Sequence, residues 1–368
     1  MRRRQVLAGL SAGAFGALAG CMPMVQHAFQ QPSGFAGPTF TGDSFVTFDG
    51  ARLGLQTWNA EGDDAGQPNS SEPWAVIVGL HGMDDYSAAF HMAGPWWAKQ
   101  GITTYAFDQR GFGRSPGRGV WAGEDLMVAD LRAACAAARR LHPKAILAVA
   151  GESMGGAVAI AAFASDDPPD ADRLILLSPA VWGFSQQPMS YNAMLWTASH
   201  TMPQYVVKPP SFLTRRIWAS DNVRELLRMG QDPLMIWGSR FDTLYGLVAL
   251  MESGWQKIDR LKVPALYMYG AHDEIIPPPA AISAAARLRP PGRTLYYERG
   301  WHLLLRDLQA ETVWTDAEAF IRDPAGPMPS GAPRMPKTVP RGPKKPELPP
   351  GVTPDGKIHL SMLPKEEP

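Results

Sequence analysis

Ala145-Ile146-Leu147-Ala148-Val149-Ala150-Gly151-Glu152-Ser153-Met154-Gly155-Gly156 runs from an apolar segment through a glycine-flanked serine, and the fold class follows from it. Its first six residues are a short apolar run of buried-strand character, and residues 156–164 are small, apolar and suited to a helix. A G-x-S-x-G between a strand and a helix is a nucleophile elbow, a tight turn that lifts a serine hydroxyl into a cleft. Glycine is needed there because larger side chains would collide where the strand reverses into the helix. In a chain with 36 glycines the pentapeptide alone is a common pattern, so its weight comes from the setting.

On either side of the elbow the same kind of pattern recurs. Residues 74–80 and 103–107 are continuous apolar runs, as expected of strands buried on both faces. Residues 173–177, 265–269 and 294–297 repeat the pattern, while 125–141 and 309–321 read as helices. Residues 40–58 alternate around Asp49-Gly50, a dipeptide suited to a hairpin. Strands alternating with helices predict a parallel α/β sheet with an antiparallel hairpin at its start. Between residues 182 and 255 the alternation stops. Short helical pieces replace it, such as 222–229, with Glu225 at the capping-box position and Gly230 past the end. An insertion of that length above the carboxyl edge of a sheet is placed to be a cap.

A serine hydroxyl needs a base within reach, and the base needs an orienting carboxylate. Asp273 follows the strand at 265–269 and His302 follows the strand at 294–297, so both fall at strand carboxyl ends, as Ser153 does. The order Ser, Asp, His along the chain fits this fold class. Glu274 is the alternative orienting acid, and His272 reads as a loop histidine. The oxyanion of an acyl-transfer intermediate needs fixed donors. The backbone N–H of Met154 is one candidate. The other is that of Met83, in the His81-Gly82-Met83 loop after the early strand.

Those residues carry a resemblance. The chain is similar to α/β-hydrolases of the monoacylglycerol lipase and lysophospholipase-like (serine aminopeptidase S33) branch. The matching stretches are His81-Gly82-Met83-Asp84-Asp85-Tyr86-Ser87, Asp108-Gln109-Arg110-Gly111-Phe112-Gly113-Arg114-Ser115, the elbow, Gln231-Asp232-Pro233-Leu234, and the Asp273 and His302 loops. The resemblance covers about residues 40–323 and implies a mostly parallel eight-stranded sheet flanked by helices, with the cap inserted after strand six. It also implies hydrolysis of a lipid ester, a monoacylglycerol or lysophospholipid, through an acyl-serine. A peptidase or thioesterase on the same triad, or a non-catalytic lipoprotein scaffold, are the alternatives. Two positions depart from the branch: Glu152 stands where a histidine is frequent, and Asp85 where a glutamate is. An acyl pocket would draw on Met194, Trp196, Met202, Tyr205, Phe212, Leu213, Trp218, Met235, Ile236 and Trp237. Arg215, Arg216, Arg224 and Arg228 read as an ordinary solvated face, with a site for anionic head groups as the alternative.

Composition narrows the rest. With 35 basic and 35 acidic residues in 368, nothing favours nucleic-acid binding. Two cysteines are too few for a disulfide framework, no Cys/His spacing suits zinc, and no cofactor is implied. Cys135 lies on an alanine-rich helix as a small core residue. Oligomeric state has no signature. The first 20 residues read as a signal peptide: Arg2-Arg3-Arg4, then the apolar stretch 6–19, with a twin-arginine look. Leu18-Ala19-Gly20-Cys21 resembles a bacterial lipobox, which would make Cys21 the acylated residue of a membrane-tethered protein in the cell envelope, facing the periplasm from the outer membrane; an ordinary Sec signal with an incidental cysteine is the alternative. The expected organisation is a linker at 21–39, core at 40–181, cap at 182–255, core at 256–323, and a proline-rich disordered tail at 324–368.

Overall fold

The computed structural model describes residues 23–61, 72–208, 217–340, 348–353, 358 and 360–364. Among them, nine strands form one sheet: β1 Thr39–Thr41, β2 Ser44–Val46, β3 Arg52–Trp58, β4 Ala75–Leu80, β5 Ile102–Phe107, β6 Ile146–Glu152, β7 Arg173–Leu177, β10 Ala265–Gly270 and β11 Arg293–Tyr297. Their order is β1-β2-β3-β5-β4-β6-β7-β10-β11. β1, β2, β3 and β5 pair antiparallel, and every pair from β5 to β11 is parallel. The expected eight-stranded sheet therefore carries one more strand, the short edge strand β1. Counting from it, the cap leaves the core after β7. The hairpin turns where expected, with Gly50 at φ 81° and Thr47 N–H donating to Ala51 O at 2.9 Å.

Strands buried on both faces need apolar side chains on both, and β4, β5 and β10 are buried along their whole length. In β10 the two faces separate by alternation: Tyr267 and Tyr269 join one core, Leu266 and Met268 the other. Helices α2 (Glu124–Leu141), α3 (Met154–Phe163) and α7 (Pro278–Arg287) cover the first core, which holds Cys135; α1 (Ala93–Lys99) and α8 (Ala310–Arg322) cover the second.

The cap consists of α4 (Met189–Thr201), the ribbon β8 (Val206–Val207) with β9 (Ser239–Arg240), α5 (Val223–Gln231) and α6 (Phe241–Lys257). Asn222 caps α5 by accepting from the Glu225 N–H at 3.3 Å, but Gly230 lies inside the helix rather than past its end.

Both termini differ from expectation. Residues 324–340 are not a free tail: Tyr296 N–H donates to Pro333 O at 2.8 Å and Met335 N–H to Thr294 Oγ1 at 3.0 Å, laying the segment along the outer strand β11. Prolines are tolerated beside an edge strand, where few N–H donors are needed, and Met328 supplies a buried anchor. Further on, Leu363 packs with Trp218, Val223 and Trp301. The 23–38 stretch is likewise docked rather than a loose linker. Gln26 N–H donates to Trp121 O at 2.9 Å, Phe29 N–H to Asp49 Oδ2 at 2.7 Å, and Met24 N–H to Asp242 Oδ2 at 3.2 Å. Cys21 and the 1–20 segment lie outside the described residues.

Candidate active site

The loops that follow β4, β6, β10 and β11 meet at the carboxyl edge of the sheet, where ligands of open α/β folds bind. The elbow is built as its sequence requires. A Cβ on Gly151 would lie 2.6 Å from Gly155 O, and one on Gly155 would strike Leu80 O. Ser153 holds φ 51° and ψ −114°, a left-handed conformation that a non-glycine residue adopts only when its surroundings enforce it. Here Ser153 N–H donates to Leu177 O at 2.9 Å, while Ser153 O accepts from Ala180 N–H at 2.9 Å and Gly156 N–H at 3.0 Å. Met154 opens α3, so its N–H has no partner within the helix and sits at the positive end of the helix dipole.

Asp273 and His302 are brought together. Asp273 Oδ2 lies 2.8 Å from His302 Nδ1, and Asp273 Oδ1 accepts from the N–H groups of Ile275 and Ile276 at 2.8 and 2.9 Å. Burial alone would favour a neutral imidazole, but the Asp273 charge and hydrogen bond, with the charge of Glu152, hold the His302 pKa above its ordinary value. Glu274 is engaged elsewhere, its Oε2 accepting from Trp218 N–H at 2.7 Å. His272 stacks on Trp301 instead of joining the pair. The backbone of His302 is gripped from the cap side, with the N–H groups of His302 and Leu303 donating to Ala219 O at 3.1 and 2.9 Å.

The 81–86 loop lies against the serine, since a Cβ on Gly82 would be 3.3 Å from Ser153 Cβ. Its shape comes from His81. The ring accepts from Gln109 N–H through Nε2 at 2.8 Å, which leaves Nδ1 protonated to donate to Gly82 O at 2.7 Å. Burial pushes the His81 pKa down and keeps that ring neutral. Gln109 also donates to His81 O at 2.8 Å, so the 108–115 motif braces the loop that carries Met83. Asp84, at φ 62°, ties the loop to the cap: its O accepts from Ile236 N–H at 2.9 Å and its Oδ2 from Ser239 Oγ at 2.7 Å. Burial, opposed by that Ser239 hydrogen bond, pushes the Asp84 carboxyl up to about 6.

Sequence reasoning missed Arg306. Its side chain is fully buried, with Nη1 at 2.7 Å from Asp85 Oδ2 and Nη2 at 2.7 Å from Glu152 Oε2. Glu225 of α5 lies 3.9 Å away and is itself paired with Arg228. The two positions that depart from the resembled branch, Asp85 and Glu152, thus share one cation. A signal for it was available in principle, because two acids at a buried site need a positive partner, and Arg306 is four residues from His302. Asp232 of the Gln231–Leu234 motif accepts from Tyr86 Oη at 2.7 Å, fastening α5 to the same loop.

The cap residues expected to wall an acyl pocket divide. Trp218 and Met235 are buried, but Met194, Trp196, Met202, Tyr205 and Trp237 are more than half exposed. Phe212, Leu213, Arg215 and Arg216 lie outside the described residues. Arg224 donates to Pro364 O at 3.2 Å, and Arg228 is ion-paired rather than solvated and free. Among the described residues no group of three or more His, Cys, Asp or Glu side chains converges to hold a metal ion, and no helix is long and apolar enough to cross a membrane.

A family model for serine aminopeptidase S33 matches residues 71–309. Over 140 residues the chain is 31% identical to a monoacylglycerol lipase of Mycolicibacterium smegmatis, a match covering 38% of this chain and 46% of that one. The chain thus spans less than half the length of that relative. Over 274 residues it is 25% identical to a monoglyceride lipase of Rattus norvegicus, covering 73% of this chain and 85% of that one. A solved structure of a soluble variant of the Saccharomyces cerevisiae monoglyceride lipase, in complex with a substrate analog, matches in fold with a TM-score of 0.63 at 18% identity, over 80% of this chain and 98% of that one.

Proposed function

Because the chain belongs to the serine aminopeptidase S33 family of α/β-hydrolases, we propose that it is a serine hydrolase cleaving carboxylic esters of lipid type, a monoacylglycerol or lysophospholipid. The observation that carries this reading is the 2.8 Å contact between Asp273 Oδ2 and His302 Nδ1, on the strand edge that holds Ser153 in its strained elbow. With Nδ1 donating to Asp273, Nε2 is the nitrogen left to take a proton. Ser153 Oγ attacks the ester carbonyl while its proton passes to His302 Nε2. The carbonyl oxygen becomes an oxyanion held by the N–H groups of Met83 and Met154. Collapse of the tetrahedral species expels the alcohol, which takes the proton back from His302, and water then releases the acid from the acyl-serine by the same steps.

The lipid substrate is supported by the two lipase relatives. The peptidase alternative would ask for a carboxylate to meet a free ammonium group, and Glu152, the acid beside the nucleophile, is fully buried and paired with Arg306. The tether at Cys21, and with it a place in the cell envelope facing the periplasm, rests on Arg2-Arg3-Arg4 and on Leu18-Ala19-Gly20-Cys21. Thioether and amide acylation there would supply the several chains that stable anchoring needs. Hydrolysis of monoacylglycerol and lysophospholipid esters of increasing chain length, measured beside an aminoacyl amide, tests the substrate class; faster turnover of the amide overturns it.

A further inference from the structure

The last described part of the chain is seated where the cap meets the loops of Asp273 and His302. Residues 348–353 and 360–364 lie beyond residue 309, where the family match stops. Val352 N–H donates to Pro349 O at 3.0 Å, and Val352 bridges Ile358 antiparallel, so the segment doubles back on itself. The turn of 3-10 helix at Leu360–Met362 then delivers Leu363 into a cluster with Trp218, Val223 and Trp301, against which Val352 and Leu226 also pack. Arg224, on the first turn of α5, fixes the end by donating from Nε to Pro364 O at 3.2 Å.

The two tryptophans of that cluster lead directly to both partners of Ser153. Trp301 precedes His302, its N–H donates to the buried Asp307 at 2.7 Å, and its ring stacks on His272, the neighbour of Asp273, at 5.2 Å. Trp218 donates its N–H to Glu274, on the other side of Asp273, at 2.7 Å. The next residue, Ala219, accepts from the N–H groups of His302 and Leu303 at 3.1 and 2.9 Å. Leu363 thus joins a tryptophan of the cap to a tryptophan of the core at the point where the cap grips the base. Its turn adds little else, since Leu360 and Met362 are 62% and 63% exposed. A segment held by so few buried groups opens at far less cost than the two large cores, to which Leu363 does not belong.

We propose that residues 348–353 and 360–364 are a strap over the junction of cap and core, and that Leu363 is a positioning residue for His302 and Asp273, acting through Trp301 and Trp218. With the strap seated, Ala219 O holds the His302 backbone and the imidazole keeps its bond to Asp273. With the strap released, the start of α5 and the loop of His302 loosen together while the sheet stays folded. Alignment of a base with its nucleophile enters kcat far more than ground-state binding, so loss of the strap is read in kcat rather than KM. The kinetic part rests on the hydrolase reading; the packing part does not.

The test uses the full chain with Leu363→Asp, which puts a carboxylate into the apolar cluster, and with Leu363→Met, which nearly keeps the side-chain volume. Hydrogen exchange followed by mass spectrometry shows faster uptake in Leu363→Asp for peptides covering 217–231 and 298–306, with uptake across β6 and β10 as in the unsubstituted chain. On a short-chain ester kcat falls about tenfold with KM little changed, and Leu363→Met restores both exchange and kcat. Three results overturn the proposal: unchanged exchange at 217–231 and 298–306, an unchanged kcat where exchange rises, or exchange that rises across β6 and β10 as well, which would make Leu363 an ordinary stabilising contact. If the unsubstituted chain turns over no ester, the hydrolase reading fails, and exchange alone then decides for or against the strap.

Discussion

Arg306 Nη2 lies 2.7 Å from Glu152 Oε2, and neither side chain has exposed surface. The same guanidinium reaches Asp85 on the 81–86 loop, and through Glu225 it faces the cap helix α5. One cation therefore holds together the elbow, the loop of Met83, the loop of His302 and the cap. The acid next to the serine, unusual for the branch, belongs to this ionic centre. Its charge is among those that raise the His302 pKa, while that of Arg306 beside it lowers it.

That coupling has a sign that can be measured. His302 works as a base only when neutral, and its pKa is raised above the ordinary value of about 6.5, so activity is lost as pH falls through a value above that one. Glu152→Gln removes a negative charge from the neighbourhood and keeps an acceptor for Arg306. The acidic limb of kcat/KM against pH then moves to lower pH in the variant. An unmoved limb would show that Glu152 has no electrostatic hold on His302.

Removing the cation has a larger effect. Arg306→Met leaves Asp85 and Glu152 buried without their shared partner, a loss of about 3–5 kcal/mol for a broken buried pair. Burial raises the Glu152 pKa while Arg306 lowers it, so the variant's Glu152 is pushed further up. A carboxyl whose folded pKa lies above its unfolded one binds more protons in the folded state, and stability falls as pH rises between the two values. Urea denaturation should therefore find the variant's deficit larger at pH 8 than at pH 5, and the double variant with Glu152→Gln should recover part of it.

His81 is braced rather than reactive. His81→Phe keeps the buried ring but loses the bonds to Gly82 O and from Gln109 N–H, freeing the loop that carries Met83. The expected loss is in kcat, roughly a hundredfold as for a missing oxyanion donor, with KM little changed. Steady-state kinetics on a short-chain ester would read it.

The docked proline-rich segment gives a stability prediction. Asp316 is fully buried and accepts from Tyr297 Oη at 2.7 Å, Ser330 N–H at 2.9 Å and Ser330 Oγ at 2.5 Å. Ser330→Ala removes one of those donors and costs about 1–3 kcal/mol. A melting temperature equal to that of the unsubstituted chain would mean the segment does not hold α8.

The elbow, the strand-end positions of Asp273 and His302, and the His81 loop were readable because each is a local pattern: an apolar run, a turn, and a residue type at its end. Choosing Asp273 over Glu274 was not local; it depends on Trp218 N–H claiming the glutamate from the cap. Arg306 and Glu152 are 154 residues apart, and no spacing rule joins them. The termini misled for another reason. Proline content predicts poor helix and sheet formation, yet a segment with no secondary structure of its own can still donate and accept along an exposed edge, as Pro333 and Met335 do beside β11. Likewise the cap's apolar composition counts side chains without saying which of them are covered, and Tyr205 and Trp237 are more than half exposed.

The proposed reaction stands or falls with Ser153 as the nucleophile activated by His302 and Asp273. Incubating the protein with a fluorophosphonate and locating the adduct by mass spectrometry puts that assignment to the test. One phosphonylated peptide is expected, carrying the label on Ser153, absent in Ser153→Ala and formed far more slowly in His302→Ala. Labelling that persists in Ser153→Ala, or no labelling of the folded protein, would refute the assignment.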